Sequence, residues 1–136
     1  MAATLPIQNS DLEFDNGTFD SAAFTTKALA NRLSLAAVID HSLVRPDATR
    51  QQVEKLCNEA AEYRFACAMV NPVWASTAVR LLAGTGIPVG VVIGFPFGAS
   101  LVSTLRQEAD ALLRLGAREL GRISGMNTPM LVASFS

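Results

Sequence analysis

The chain has 136 residues, half of them apolar and 17% charged, with a formal net charge of −1. That length suits one ordinary domain and not two, and the composition excludes disorder over most of the chain. Nine Arg and two Lys are scattered without a run of five like charges, so no electrostatic drive toward nucleic acid or an anionic membrane is present.

The longest apolar runs fall far short of the ~20 residues of a transmembrane helix. No basic segment followed by an apolar one opens the chain, which argues against a secretory signal and for a cytoplasmic location. Cys57 and Cys67 do not have metal-ligand spacing and are expected to be reduced, semi-buried thiols.

Residues 1–20 form an acidic zone, with Asp11, Glu13, Asp15 and Asp20 and no basic residue. They are expected to be a flexible leader with a turn at Asn16-Gly17. An Ala- and Leu-rich stretch over 21–33, with Asp20 or Ser21 as N-cap, predicts a short helix. Residues 35–40 form a first apolar run ending in a charge, read as a strand with Asp40 at its end. Helix-opening residues follow at 46–49, and Val53, Leu56, Cys57, Ala60 and Ala61 then make one apolar stripe at helical spacing. A second strand is expected over 65–70. Asn71-Pro72 then opens a helix that runs to about Ala83 and stops at Gly84. A third strand spans 88–93, followed by the loop Gly94-Phe95-Pro96-Phe97-Gly98. Ser100 or Ser103 is expected to cap the third helix, which carries Leu105, Ala109, Leu112 and Leu113 and ends at Gly116.

The strands are almost continuously apolar, as in parallel sheets covered on both faces. Their alternation with helices at about 25-residue spacing fits βαβ units with right-handed crossovers. Periodicity leaves both an open doubly wound sheet and a barrel possible. No G-x-G-x-x-G pattern opens a helix, which disfavours a dinucleotide site.

Three segments lie at the expected strand ends. They are Val38-Ile39-Asp40-His41-Ser42-Leu43, Met69-Val70-Asn71-Pro72, and Val92-Ile93-Gly94-Phe95-Pro96-Phe97-Gly98-Ala99. With residues 56–61 between them, and in this order, they resemble the deoxyribose-phosphate aldolase family over roughly 35–120. The resemblance implies an α/β fold, here a truncated (β/α)8 barrel of about the first three to four βα units with parallel strands, against ~250 residues for a whole barrel. It also implies reversible cleavage of 2-deoxyribose 5-phosphate to acetaldehyde and glyceraldehyde 3-phosphate through a lysine Schiff base, with no cofactor and no metal. Asp40, Ser42 and Met69 match substrate-pocket positions of the family. Ser42 stands where the family usually has Thr and keeps the hydroxyl, Arg45 replaces a common Lys, and Met69 stands where Cys is frequent. Cys67, two residues before Met69, should face the same side of its strand.

Imine chemistry needs a lysine with a lowered pKa, and the only lysines are Lys27 and Lys55. Both fall in helices and are expected to be solvated. The Schiff-base lysine of the family comes from later strands, so no catalytic residue is assigned. Residues 116–120 still match the family's fourth strand, but Gly121 stands where the family has its proton-relay Asp. Beyond it the resemblance stops, in a tail over 121–136 that is poor strand material. A stop this abrupt is what a frameshift, an alternative reading or an artificial end would produce.

His41, the only histidine, is expected to be a structural hydrogen-bonder. Trp74 is expected to pack in the first turn of a helix, and Glu108 and Asp110 to lie on a solvated helix face. The reading that follows is an aldolase-family chain, inactive alone, whose family substrate is a sugar phosphate. The alternatives are a non-catalytic interaction module that self-associates through open sheet edges, and an unstable fragment that exposes apolar strand faces.

Overall fold

In the computed structural model, residues 14–15, 18–19, 21–30, 35–122 and 131–134 are described. Two short strands, β1 (Phe14–Asp15) and β2 (Thr18–Phe19), pair antiparallel with Phe14 opposite Phe19 and Asp15 opposite Thr18. That pairing brackets the turn signal at Asn16-Gly17. The rest of the expected flexible leader lies outside the described residues. Helix α1 spans Ser21–Ala30.

The central sheet contains β3 (Asp40–Leu43), β4 (Cys67–Val70), β5 (Val89–Ile93), β6 (Glu119–Arg122) and β7 (Leu131–Ser134), in that spatial order. The first four are mutually parallel, and β7 is antiparallel to β6. Helix α2 (Arg50–Tyr63) connects β3 to β4. A 3-10 turn (Pro72–Trp74) and helix α3 (Ala75–Leu81) connect β4 to β5, and helix α4 (Val102–Leu115) connects β5 to β6.

Helix α2 begins where the sequence supplies a capping box. The Gln52 backbone N–H donates to Thr49 Oγ1 at 3.3 Å, and the Thr49 N–H donates to Gln52 Oε1 at 3.0 Å. Val53, Leu56, Cys57 and Ala60 are its buried residues, as the stripe requires. They meet Ala75 and Ala78 of α3, Leu112 of α4, and Ala68, Val70, Val89, Val91, Ile93 and Leu120 from the strands in one core. Each fully buried Val or Leu there contributes about 1.5–3 kcal/mol. All three connecting helices thus pack on one face of the sheet. Strand order also follows chain order, with no reversal. An open doubly wound sheet needs a reversal and helices on both faces. The architecture is a partial (β/α) barrel, which closes the choice that periodicity left open.

Three expectations need correction. The run 35–40 is not a strand. Residues 35–36 are helical and a turn follows, with the Val38 N–H donating to Leu35 O at 3.2 Å and the Ile39 N–H to Ala36 O at 3.1 Å. Asp40 therefore begins β3 instead of ending it. An apolar run this short carries no period, and local helical bonds win over extension. Neither Ser100 nor Ser103 caps α4, whose N-cap is Leu101 with no side-chain cap bond. Finally, the segment from 121 onward supplies strand: Gly121 and Arg122 complete β6, and Leu131–Ser134 forms β7. The paired edge of β5 supplies a ladder that outweighs the poor intrinsic preference of Gly121.

Candidate functional site

The pleat sends alternate residues of each strand to opposite faces. One face of β4 and β5 (Ala68, Val70, Val89, Val91, Ile93) meets the helices, while Cys67, Met69 and Val92 form a second, smaller buried cluster joined by Val44. Asp40 pairs with Cys67 and Ser42 with Met69. Asp40, Ser42 and Met69, the three expected pocket residues, therefore share the face turned away from the helices. Cys67 and Met69 lie on one side of β4, as the strand period requires.

Gly90 makes this face possible. It pairs with Met69 on one side and Glu119 on the other. A Cβ added at Gly90 would sit 2.6 Å from Cys67 Sγ and 2.7 Å from Met69 Cε. The missing side chain is the space those two side chains fill.

At the start of the strands, Asp40, Cys67 and Glu119 bring one carboxylate oxygen, one sulfur and one carboxylate oxygen within 4.8 Å of one another. Burial raises the Asp40 carboxyl pKa above its ordinary value. Burial, followed by the nearby Glu119 and Asp40 charges, also drives the Cys67 thiol far up. The three groups form a polar cluster at the start of the strands. Ser42 Oγ donates to the Asp40 carbonyl at 3.0 Å, within its own strand.

At the opposite end of the strands lies a cleft of about 390 Å³, whose lining includes Asn71, Val92, Gly94, Phe95, Phe97 and Glu108. The loop after β5 is closed by the Gly98 N–H donating to Gly94 O at 2.6 Å. Gly94 has a φ of 62°, and a Cβ there would meet Leu105 Cδ2 at 2.8 Å, so the position suits glycine alone. Asn71 Nδ2 donates to the Arg45 carbonyl at 3.0 Å, which ties the loop after β3 to the end of β4. The same loop is braced by Arg45, whose Nε and Nη2 donate to Asp47 at 2.9 and 2.7 Å. Asn71 is the N-cap of the 3-10 turn, with Pro72 following, but it makes no side-chain cap bond.

Sequence reasoning missed two features of this cleft. Glu108 lines it and is half-exposed, while Asp110 is exposed on the same helix. The strap from Asn71 to Arg45 spans 26 residues and carries no local sequence signal.

The remaining expected positions separate from the cleft. His41 faces the helices: its Nε2 lies 2.8 Å from Glu59 Oε2, and its ring centroid 4.9 Å from that of Phe65. Lys55 Nζ lies 3.6 Å from Glu59 Oε1, on the exposed side of α2. Lys27 falls in α1, and its side chain lies outside the described residues. Gly121 is buried in β6 and paired with Val92. Trp74 packs partly buried against the main core.

A sheet of sequentially ordered parallel strands, with its helices on one face and a cleft among the loops at the strand ends, defines the class of (β/α)-barrel proteins. No protein-family model matches the chain. It is 43% identical over 88 residues to a deoxyribose-phosphate aldolase of Desulfitobacterium hafniense, covering 65% of this chain and 40% of that protein. A deoxyribose-phosphate aldolase of Thermoanaerobacter sp. is 41% identical over 99 residues, covering 73% of this chain and 44% of its own length. The solved structure of the tetrameric deoxyribose phosphate aldolase of Aeropyrum pernix matches at a TM-score of 0.67 and 35% identity, covering 71% of this chain and 41% of that one. Over the matched segment the chain is similar to the deoxyribose-phosphate aldolases. It spans about two fifths of the length of these relatives.

Proposed function

We propose that the chain carries one wall of an aldolase-type sugar-phosphate pocket and does not turn substrate over alone. The observation that carries this reading is that Asp40, Ser42 and Met69 fall in register on the face away from the helices, while Lys55 sits on the exposed side of α2. In the family reaction a lysine amine condenses with the sugar aldehyde and releases water. The resulting imine then accepts the electron pair of the breaking carbon–carbon bond. That chemistry needs an amine at the pocket face with a lowered pKa, and Gly121 offers no carboxylate where the family has its relay Asp. No helix among the described residues is long and apolar enough to cross a membrane, which is compatible with a cytoplasmic location.

Borohydride reduction of the chain with 2-deoxyribose 5-phosphate, read by intact mass, tests this. No adduct is expected, and a reduced adduct on Lys27 or Lys55 would overturn the reading.

A second reading has one observation in its favour. Among the described residues, strand β3 is an edge of the central sheet, a place where another chain could add a strand. Self-association predicts concentration-dependent elution in size-exclusion chromatography. A monodisperse monomer at all concentrations speaks against it.

A further inference from the structure

We infer that strand β7 is an internal plug: it occupies the edge of β6 on which a second copy of this chain would otherwise add, and so keeps two copies from combining into one closed barrel.

The direction of β7 follows from the length of chain before it. Only residues 123–130 lie between β6 and β7. A parallel neighbour needs a crossover of about a dozen residues or more, whereas an antiparallel one needs only a short connection. β7 accordingly runs antiparallel to β6, while β3, β4, β5 and β6 are parallel. Every residue of β6 is then paired on both sides. Glu119, Leu120, Gly121 and Arg122 pair with Gly90, Val91, Val92 and Ile93 on one side, and with Ser134, Ala133, Val132 and Leu131 on the other.

β6 has the make-up of an interior strand. Leu120 is 6% exposed and Gly121 is buried. Its residues include no Pro and no Lys, the types that commonly blunt a sheet edge. The Arg118 N–H donates to Val89 O at 2.8 Å. Successive N–H groups of a strand alternate in side, so those of Glu119 and Gly121 point toward β7. Without β7 they would form an open ladder beside a buried strand.

A second copy offers a fitting strand. The parallel strands β3 to β6 are half of a (β/α)8 barrel, and β3 is the opposite end of the same series. With β3 of each copy added to β6 of the other, two copies would supply every strand of a closed barrel about a two-fold axis. The contact forms twice and leaves no edge. An antiparallel strand on β6 forbids that arrangement, because all strands of such a barrel run parallel.

Two full-chain proline variants test the plug. Val132 pairs with Gly121, so its N–H points back at β6, and the N–H of Ala133 points away. Val132→Pro therefore removes a ladder bond, and Ala133→Pro does not. In sedimentation velocity, Val132→Pro is expected to form a discrete dimer about tenfold or more tighter than any association of the native chain, the scale of a lost backbone bond. Ala133→Pro is expected to behave as the native chain does. Association of Val132→Pro that matches the native chain, open-ended aggregation of it, or equal dimerisation of Ala133→Pro each overturns the inference. Amide hydrogen exchange of the native chain, read by NMR, decides the matter even where a variant does not fold. Slow exchange is expected at Glu119 and Gly121, and exchange there at the rate of an exposed loop overturns the plug. Borohydride trapping reads the aldolase reading separately, so either of its results leaves this one standing.

Discussion

His41 Nε2 lies 2.8 Å from Glu59 Oε2, so the only histidine of the chain joins β3 to α2 on the side opposite Asp40, Ser42 and Met69. The His41 hydrogen bond, assisted by the charge of Lys55, holds the Glu59 carboxyl below the ordinary glutamate value of 4.5. A depressed carboxyl pKa adds stability that is present above the unfolded value and lost as pH falls through the folded one. Urea denaturation of Glu59→Gln over about pH 3 to 6 is expected to show a flatter acid limb than the native chain. An unchanged acid limb would show that the pair contributes nothing.

Gly90→Ala is expected to destabilise the chain by about 1–3 kcal/mol, the usual cost of overpacking a filled interior. The added methyl would lie 2.6 Å from Cys67 Sγ. Adding Cys67→Ala should recover part of that loss, because the two changes share one space. Urea midpoints of the single and double variants measure the coupling, and strict additivity would contradict the packing described.

The helix stripes and two central strands were legible in the sequence because each is set by local period. Val53, Leu56, Cys57 and Ala60 bury on one face of α2, and β4 and β5 are buried throughout, as their continuous apolar runs demand. Residues 35–40 were misread because a short apolar run fits helix and strand equally well, and the bonds that decide between them include the Ala66 N–H to Ile39 O at 2.9 Å, a contact with another strand's approach. β7 was missed for a similar reason: Leu131–Ser134 extends against β6, a pairing no local window contains. The shared face of Cys67 and Met69 could be read, since they differ by one strand period. The cleft could not, because Asn71 meets Arg45 only through loop geometry and Glu108 arrives from a helix beyond the stripe.

Both thiols should be unreactive in the folded chain. Burial pushes the Cys57 thiol up to about 11 and drives Cys67 up as well, and both side chains are buried. A disulfide-exchange reagent at about pH 8 meets almost no thiolate there. Labelling is expected only at the rate of unfolding, with both thiols reacting promptly in denaturant. The linkage has the opposite sign to that of Glu59: the neutral thiol is the favoured folded form, so stability holds below the ordinary value of 9.0 and falls as pH rises above it. Fast labelling of either cysteine under native conditions would place it at an accessible surface.

Asp40 separates a pocket role from a structural one. It opens β3 beside Cys67, and burial raises its carboxyl pKa. With the folded value above the unfolded one, the neutral acid suits the fold better, and the cost of the charge sets in as pH rises above the ordinary value of 3.8 and is complete above the folded one. Asp40→Asn should therefore match the native chain at about pH 3 and exceed it at neutral pH, by less than ~1 kcal/mol because the side chain is exposed and solvent screens it. A charge that weakens its own fold is what a binding residue looks like. A structural Asp40 would give the reverse result, with the Asn variant less stable at neutral pH. Thermal unfolding of the two chains at both pH values distinguishes these outcomes. Loss of stability in the variant at neutral pH would count against the proposed pocket role of Asp40.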